Sequence, residues 1–142
     1  MQELLSTYAV IREYPVQWGE MDAANHVNNL IYLRWSESGR IAFFEHLGWP
    51  FSFGKGIGPI LGWQDCKYIF PITYPDTAIV GTKVVEILTD RFVIESAIFT
   101  KKHQRIAAIS KQQIIPYDYT NLRKVPIPED WLIAIQQQES SI

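Results

Sequence analysis

Apolar and polar positions along the chain change their period twice. From Tyr8 to Trp18 they alternate loosely, and the run is rich in β-branched and aromatic residues, which predicts a strand. Pro15 removes a ladder donor within it, so the strand belongs at an edge or carries a bulge. Gly19 to His26 is small and polar and reads as a turn. From Asn28 or Asn29 to about Leu47 the period becomes helical. Ile31, Trp35 and Ala42 share a stripe, Tyr32 and Phe43 widen it, and Arg34, Glu37 and Arg40 face elsewhere. Asn28 suits the N-cap, while Gly48 followed by Pro50 supplies the stop.

A Gly-rich loop follows, containing Gly54, Gly56 and Gly58, and it reads as a mobile segment near a pocket mouth. Four strand patterns come next: Ile60–Phe70, Thr77–Leu88, Phe92–Lys101 and Arg105–Ile115. Their connections are Pro71–Asp76, Thr89–Arg91 and His103–Gln104, short enough to predict four antiparallel neighbours in succession. A short amphipathic tail helix, Glu129–Gln138, starts after Pro128 and is expected to pack weakly or fray. The order of strand, long helix and four strands predicts an α+β fold, a curved antiparallel sheet wrapped around one central helix. One helix leaves sheet edges uncovered, so pairing with a second copy, as a homodimer or homotetramer, is expected.

Composition narrows the function. The 142 residues make about one domain, and no repeat or linker divides them, so 1–142 is read as one domain with its core at about 8–117. Thirteen basic against fifteen acidic residues give a net charge of -2, which offers no general attraction to nucleic acid. Cys66 has no partner for a bridge, no Cys/His cluster has zinc spacing, and no cofactor is called for. Neither a signal peptide nor a membrane-length apolar run is visible, so a cytoplasmic location is expected.

The stretch from Asp22 to Ser38 is the richest in chemistry, with a carboxylate, an imidazole and three carboxamides at a strand-to-helix junction. A helix N-terminus presents free N–H groups and a positive dipole end, suited to the oxyanion that develops when a carbonyl is attacked. A carboxylate just upstream attacks that carbonyl or activates water. The same residue types also build ordinary turns and caps, and His26 and Asn28 fit that structural role equally.

The run Asp-x-x-x-His-Val-Asn-Asn-x-x-Tyr-x-x-Trp, here Asp22 to Trp35, resembles the signature of hotdog-fold acyl thioesterases. It is similar both to the 4-hydroxybenzoyl-CoA thioesterase-like acyl-CoA enzymes and to the plant-type acyl-ACP enzymes. The element order is also the hotdog order, so the likeness spans about residues 8–117. The resemblance implies a thioesterase that releases free acid and thiol from an acyl-CoA or acyl carrier protein thioester. It places Asp22 at the catalytic carboxylate, as nucleophile or general base. It also places Asn29 where a helix-start N–H polarises the thioester carbonyl, and His26 where an imidazole orients water or holds the loop. Two positions depart from the pattern. Ala24 stands where acyl-ACP enzymes usually carry Asn, and Asn29 stands where one bacterial branch uses a His.

Trp18, Asn28, Gly58 and Trp63 are the candidate substrate-binding residues. Trp35, Phe43, Phe44 and Phe51 join Trp18 and Trp63 as either tunnel lining or plain core. Lys101, Lys102, His103 and Arg105 form a basic turn, which is either a solvated hairpin tip or a holder of coenzyme A phosphates or an acidic carrier protein. Cys66 lies inside a strand pattern and reads as core rather than nucleophile. Tyr68, Pro71, Tyr74 and Asp76 read as a turn with strand flanks and receive no chemistry. No Gly-x-Ser-x-Gly elbow is present. The alternatives are a hotdog hydratase or dehydratase on acyl thioesters, and a non-catalytic acyl-thioester-binding module.

Overall fold

The computed structural model describes residues 1–48 and 54–140. Pro50 and Phe51, expected as helix stop and tunnel lining, lie outside the described residues. The elements in chain order are α1 (Gln2–Leu5), β1 (Val10–Pro15), a 3-10 turn (Trp18–Glu20), α2 (Asn29–His46), β2 (Ile57–Gln64) and β3 (Lys67–Tyr68). Then come β4 (Thr77–Ile87), β5 (Phe92–Thr100), β6 (Arg105–Asp118), β7 (Arg123–Lys124) and α3 (Glu129–Ser140).

All strands join one antiparallel sheet whose main path runs β1-β4-β5-β6-β2, with β3 and β7 also pairing to β6. Its inner face packs around α2, so the α+β hotdog arrangement implied by the resemblance is the one observed. The strand order corrects one expectation. β2 does not pair with β4, its next long neighbour in sequence, but crosses to the far side of β6, with Ile60 opposite Ile115.

Several boundaries also move. β1 stops at Pro15, and Trp18 begins the 3-10 turn rather than ending a strand. The expected Ile60–Phe70 strand splits at Asp65–Cys66, where the Asp65 side chain accepts from the Lys111 amide at 2.8 Å. It also begins earlier, at Ile57. Gly58 is therefore buried in β2 opposite Tyr117 and is not part of a mobile loop.

The helix stripe is as expected: Ile31, Tyr32, Trp35, Ala42 and Phe43 are buried. Arg40 is the exception on the polar side, since its side chain is only 11% exposed beside Glu37. Past the helix end, Gly48 takes φ +82, the left-handed conformation that glycine adopts most easily after a C-cap.

The core has two halves along α2. One end gathers Tyr32, Trp35, Ile72, Ala78, Val80 and Ile98. The other gathers Phe43, Phe44, Phe92, Ile94 and Ile114 with Trp131 and Ile135 of α3. The tail helix is thus not a weakly packed appendage: Trp131 is 1% exposed and Ile135 is fully buried. Between the halves lies a belt of buried polar residues. Ser36 comes from α2, and Thr82, Ser96 and Ser110 stand in register on three adjacent strands. Among the described residues, no helix is long and apolar enough to cross a membrane.

Candidate active site

The junction between β1 and α2 is organised by its own hydrogen bonds. After the 3-10 turn, Met21 and Val27 form an isolated antiparallel bridge, with a tight turn between them. The Asp22 amide donates to the His26 carbonyl at 3.0 Å, and the Asn25 amide donates to the Asp22 carbonyl at 3.0 Å. Asn25 takes φ +64, a left-handed conformation for which Asn is the preferred non-glycine residue. The Val27 amide then reaches the Ile72 carbonyl at 2.8 Å and ties the turn to the sheet side of the site.

Asn28 is the N-cap, its Oδ1 accepting from the Leu30 amide at 2.9 Å. Its carbonyl takes the Ile31 amide at 2.9 Å. With those donors occupied, the amide of Asn29 has no partner among the described residues. It is a free donor of the first turn, at the positive end of the 18-residue helix α2.

A cleft of about 240 Å³ opens at this end of α2. One wall is the turn and helix start, with His26, Val27, Asn29 and Tyr32. The other is the end of β3 and the segment after it, Tyr68, Ile69, Phe70 and Pro71. Tyr32 and Tyr68 meet edge to face at 5.3 Å. The Tyr32 hydroxyl accepts from the Ile72 amide at 2.9 Å, and the Tyr68 hydroxyl donates to the Asn29 carbonyl at 3.1 Å. Burial, then the neighbouring Cys66 thiol, pushes the Tyr68 pKa up to about 12. Burial also raises Tyr32, so both phenols stay protonated donors near neutral pH.

The predicted residues do not all meet here. His26 and Asn29 line the cleft. Asp22 sits at the base of the same turn, exposed in the single chain; its Oδ1 accepts from the Ala24 amide at 2.9 Å. Its other carboxylate oxygen has no partner among the described residues. Asn28 serves the cleft through the helix start. Trp18 is 73% exposed on the 3-10 turn, Trp63 is 49% exposed on β2, and buried Gly58 lies elsewhere on β2. Trp35, Phe43 and Phe44 are core.

Cys66 is half-buried at the core margin, where burial raises its thiol pKa away from the thiolate form, in line with a packing role. Tyr68, Phe70 and Pro71 are the walls that sequence reasoning missed. Tyr68 carried a signal, an aromatic in a strand otherwise bounded by turn residues, but its partner lies across the fold. Among the described residues, no group of three or more His, Cys, Asp or Glu side chains is placed to hold a metal ion.

A free helix-start amide opening on a cleft beside a histidine and a nearby carboxylate is a layout for attack on a carbonyl. A family model described as the thioesterase-like superfamily matches residues 16–135, the span from the end of β1 into α3. The chain belongs to the thioesterase-like superfamily.

Solved structures agree with that assignment. The PA2801 protein of Pseudomonas aeruginosa, for which a thioesterase activity has been proposed, is 28% identical over 90% of this chain and 98% of its own, with a TM-score of 0.80. A DHNA-CoA thioesterase from Staphylococcus aureus shares the fold at 23% identity and TM-score 0.78, covering 92% of this chain and 90% of that one. A thioesterase from Thermus thermophilus, solved with coenzyme A and zinc, shares it at 22% identity and TM-score 0.82, covering 94% and 97%. No match was found among curated proteins. Membership in this thioesterase-like superfamily supports thioester hydrolysis as the general chemistry.

Proposed function

We propose that this chain hydrolyses acyl-coenzyme A thioesters to the free acid and coenzyme A. The single observation that carries the reading is the unpartnered Asn29 amide at the start of α2, opening on a cleft walled by His26, Tyr32 and Tyr68. A thioester carbonyl oxygen placed against that amide gains a preorganised donor at the dipole end of the helix. One such donor is worth about 10²–10³ in rate.

Asp22 acts as the nucleophile or as the base that takes a proton from water. Its Oδ1 is held by the Ala24 amide, which leaves the second oxygen for the reaction. As nucleophile, Asp22 forms a mixed anhydride as the C–S bond breaks, and water then cleaves that anhydride to release the acid and restore the carboxylate. As base, it takes a proton from the water whose oxygen forms the new C–O bond as the C–S bond breaks. In either course the departing thiolate takes up a proton. His26, on the same turn, orients the water.

Two observations favour a pair of chains as the working unit. Asp22 is exposed in the single chain, and apolar side chains around it and along the β2–β3 edge are exposed too, notably Trp18, Leu30, Trp63 and Ile69. A second copy on this face covers them and encloses the carboxylate, raising its electrostatic effect. Coenzyme A is favoured as the carrier by the neighbours named for CoA thioesters and by the one solved with coenzyme A.

The test is a hydrolysis panel of short, long and aromatic acyl-CoA substrates with wild type and Asp22→Asn. Wild type is expected to turn over at least one class. The variant is expected to lose most of that turnover while keeping its far-ultraviolet circular dichroism. Equal turnover by both proteins overturns the assignment.

A further inference from the structure

The cleft wall at Phe70 continues into the β5–β6 turn, Lys101–Gln104, and this turn is basic in a chain whose net charge is -2. The guanidinium of Arg105 lies over the Phe70 ring at 4.5 Å, and the His103 ring contacts the same phenyl at 4.9 Å. Phe70 thus faces the cleft and carries two nitrogen-rich side chains. We propose that Lys102, His103 and Arg105 form the subsite that holds the phosphate groups of coenzyme A while the thioester occupies the cleft. The inference rests on the acyl-CoA reading above.

The turn is braced rather than loose. The carboxylate of Asp76 accepts from the Thr100 hydroxyl, from the Lys102 amide at 2.9 Å and from the Thr77 amide at 2.7 Å. Thr100 itself is fully buried, and its hydroxyl also accepts from the His103 amide at 3.2 Å. Asp76 is therefore occupied by neutral donors and ion-pairs with neither Lys102 nor Arg105. Lys101 is paired with Glu13 at 2.9 Å, but among the described residues Lys102 and Arg105 form no ion pair. A braced backbone presenting two uncommitted cations differs from an ordinary solvated hairpin tip.

The geometry suits a phosphate group. Stacking on Phe70 fixes the plane of the Arg105 guanidinium and leaves its edges free for bidentate contact with phosphate oxygens. The backbone of Phe70 pairs with Ala107, so the Arg105 backbone lies two residues, roughly 7 Å, along the strand from the cleft wall. Its guanidinium reaches back over Phe70, and Lys102 follows farther out on the turn. A phosphate-bearing arm leaving the cleft over Phe70 meets them in order, Arg105 first and Lys102 beyond.

The experiment compares wild type with Lys102→Ala/Arg105→Ala in two measurements. The first is calorimetric binding of free coenzyme A and of pantetheine, which lacks the phosphates and nucleotide. The double variant is expected to bind coenzyme A about tenfold or more weakly, with a smaller salt dependence than wild type, and pantetheine with a much smaller change. The second is hydrolysis of one acyl group carried on coenzyme A, on N-acetylcysteamine and on acyl carrier protein. The rise in KM for the coenzyme A substrate is expected to exceed that for the N-acetylcysteamine substrate by at least about fivefold. Unchanged coenzyme A affinity in the variant overturns the proposal, as does an equal loss on all substrates or a loss confined to the carrier protein. Binding needs no turnover. A protein that binds coenzyme A through these residues yet hydrolyses nothing refutes the catalytic reading and leaves the subsite standing.

Discussion

The hydroxyl of Tyr68 donates to the carbonyl oxygen of Asn29 at 3.1 Å, joining the strand wall of the cleft to the residue whose amide opens α2. The bond tethers the first residue of the helix to the opposite wall of the cleft. Tyr68→Phe keeps the ring contact with Tyr32 but removes this tether. A hydrogen bond of this kind contributes roughly 0.5–1.5 kcal/mol, so kcat is expected to fall by up to about tenfold with KM little changed. Steady-state kinetics on the best acyl-CoA substrate checks this, and a KM effect alone assigns Tyr68 to plain binding.

The same tyrosine gives an alkaline signature. Its pKa is pushed up to about 12 in the folded chain, against about 10 for a free phenol. A raised folded pKa means that the stabilisation is complete below about pH 10. It is lost as pH climbs from there to about 12, because the unfolded chain ionises first. The stability difference between wild type and Tyr68→Phe is therefore expected to be flat from pH 6 to 9 and to shrink above pH 10. Urea unfolding across that range measures it. A difference that grows with pH contradicts the environment assigned to Tyr68.

Where sequence reading succeeded, the signal was local. The stripe Ile31, Tyr32, Trp35, Ala42 and Phe43 repeats within one helix, and the Asn28 cap needs only its own first turn. The crossover of β2 to β6 was not legible, because pairing Ile60 with Ile115 joins residues 55 positions apart and strand pattern alone does not choose a partner. The role of Tyr68 is illegible in the sequence for the same reason, since it exists only once β3 lies beside the start of α2. Asp22 was legible as chemistry from the motif, but its bond to the Ala24 amide shows how a turn and a reactive carboxylate draw on the same side chain.

The tail helix packs more firmly than its sequence pattern predicts, because its apolar anchor is short. Trp131 and Ile135, one turn apart, carry it into the core beside Phe43, Phe92 and Ile114. Two residues make little amphipathic pattern, yet a buried Trp removes a large area from water. Trp131→Ala is expected to destabilise the chain by about 3–5 kcal/mol. Guanidinium unfolding followed by circular dichroism measures the shift. A loss below about 1 kcal/mol would restore the picture of a loosely attached tail.

The crossing of α2 over β4 yields a pair of substitutions with opposite expected signs. Gly39 lies so close to the sheet that an added Cβ meets Thr82 Oγ1 at 2.6 Å and Val80 Cγ1 at 2.9 Å. In an exposed helix Gly→Ala gains about 1 kcal/mol, but here overpacking of about 1–3 kcal/mol opposes it, so Gly39→Ala is expected to be net destabilising. Thr82 is fully buried, and its hydroxyl has no hydrogen-bond partner among the described residues, as is also true of Ser36 Oγ and Gln112 Oε1 in the same belt. Thr82→Val keeps the shape and removes a desolvated polar atom, so it is expected to be neutral or stabilising, although a valine for threonine swap in a bonded site costs stability. Thermal unfolding of the two variants separates the effects. A destabilised Thr82→Val would show that the hydroxyl is bonded within the belt, and it would move attention to Ser36 and Gln112 as its partners.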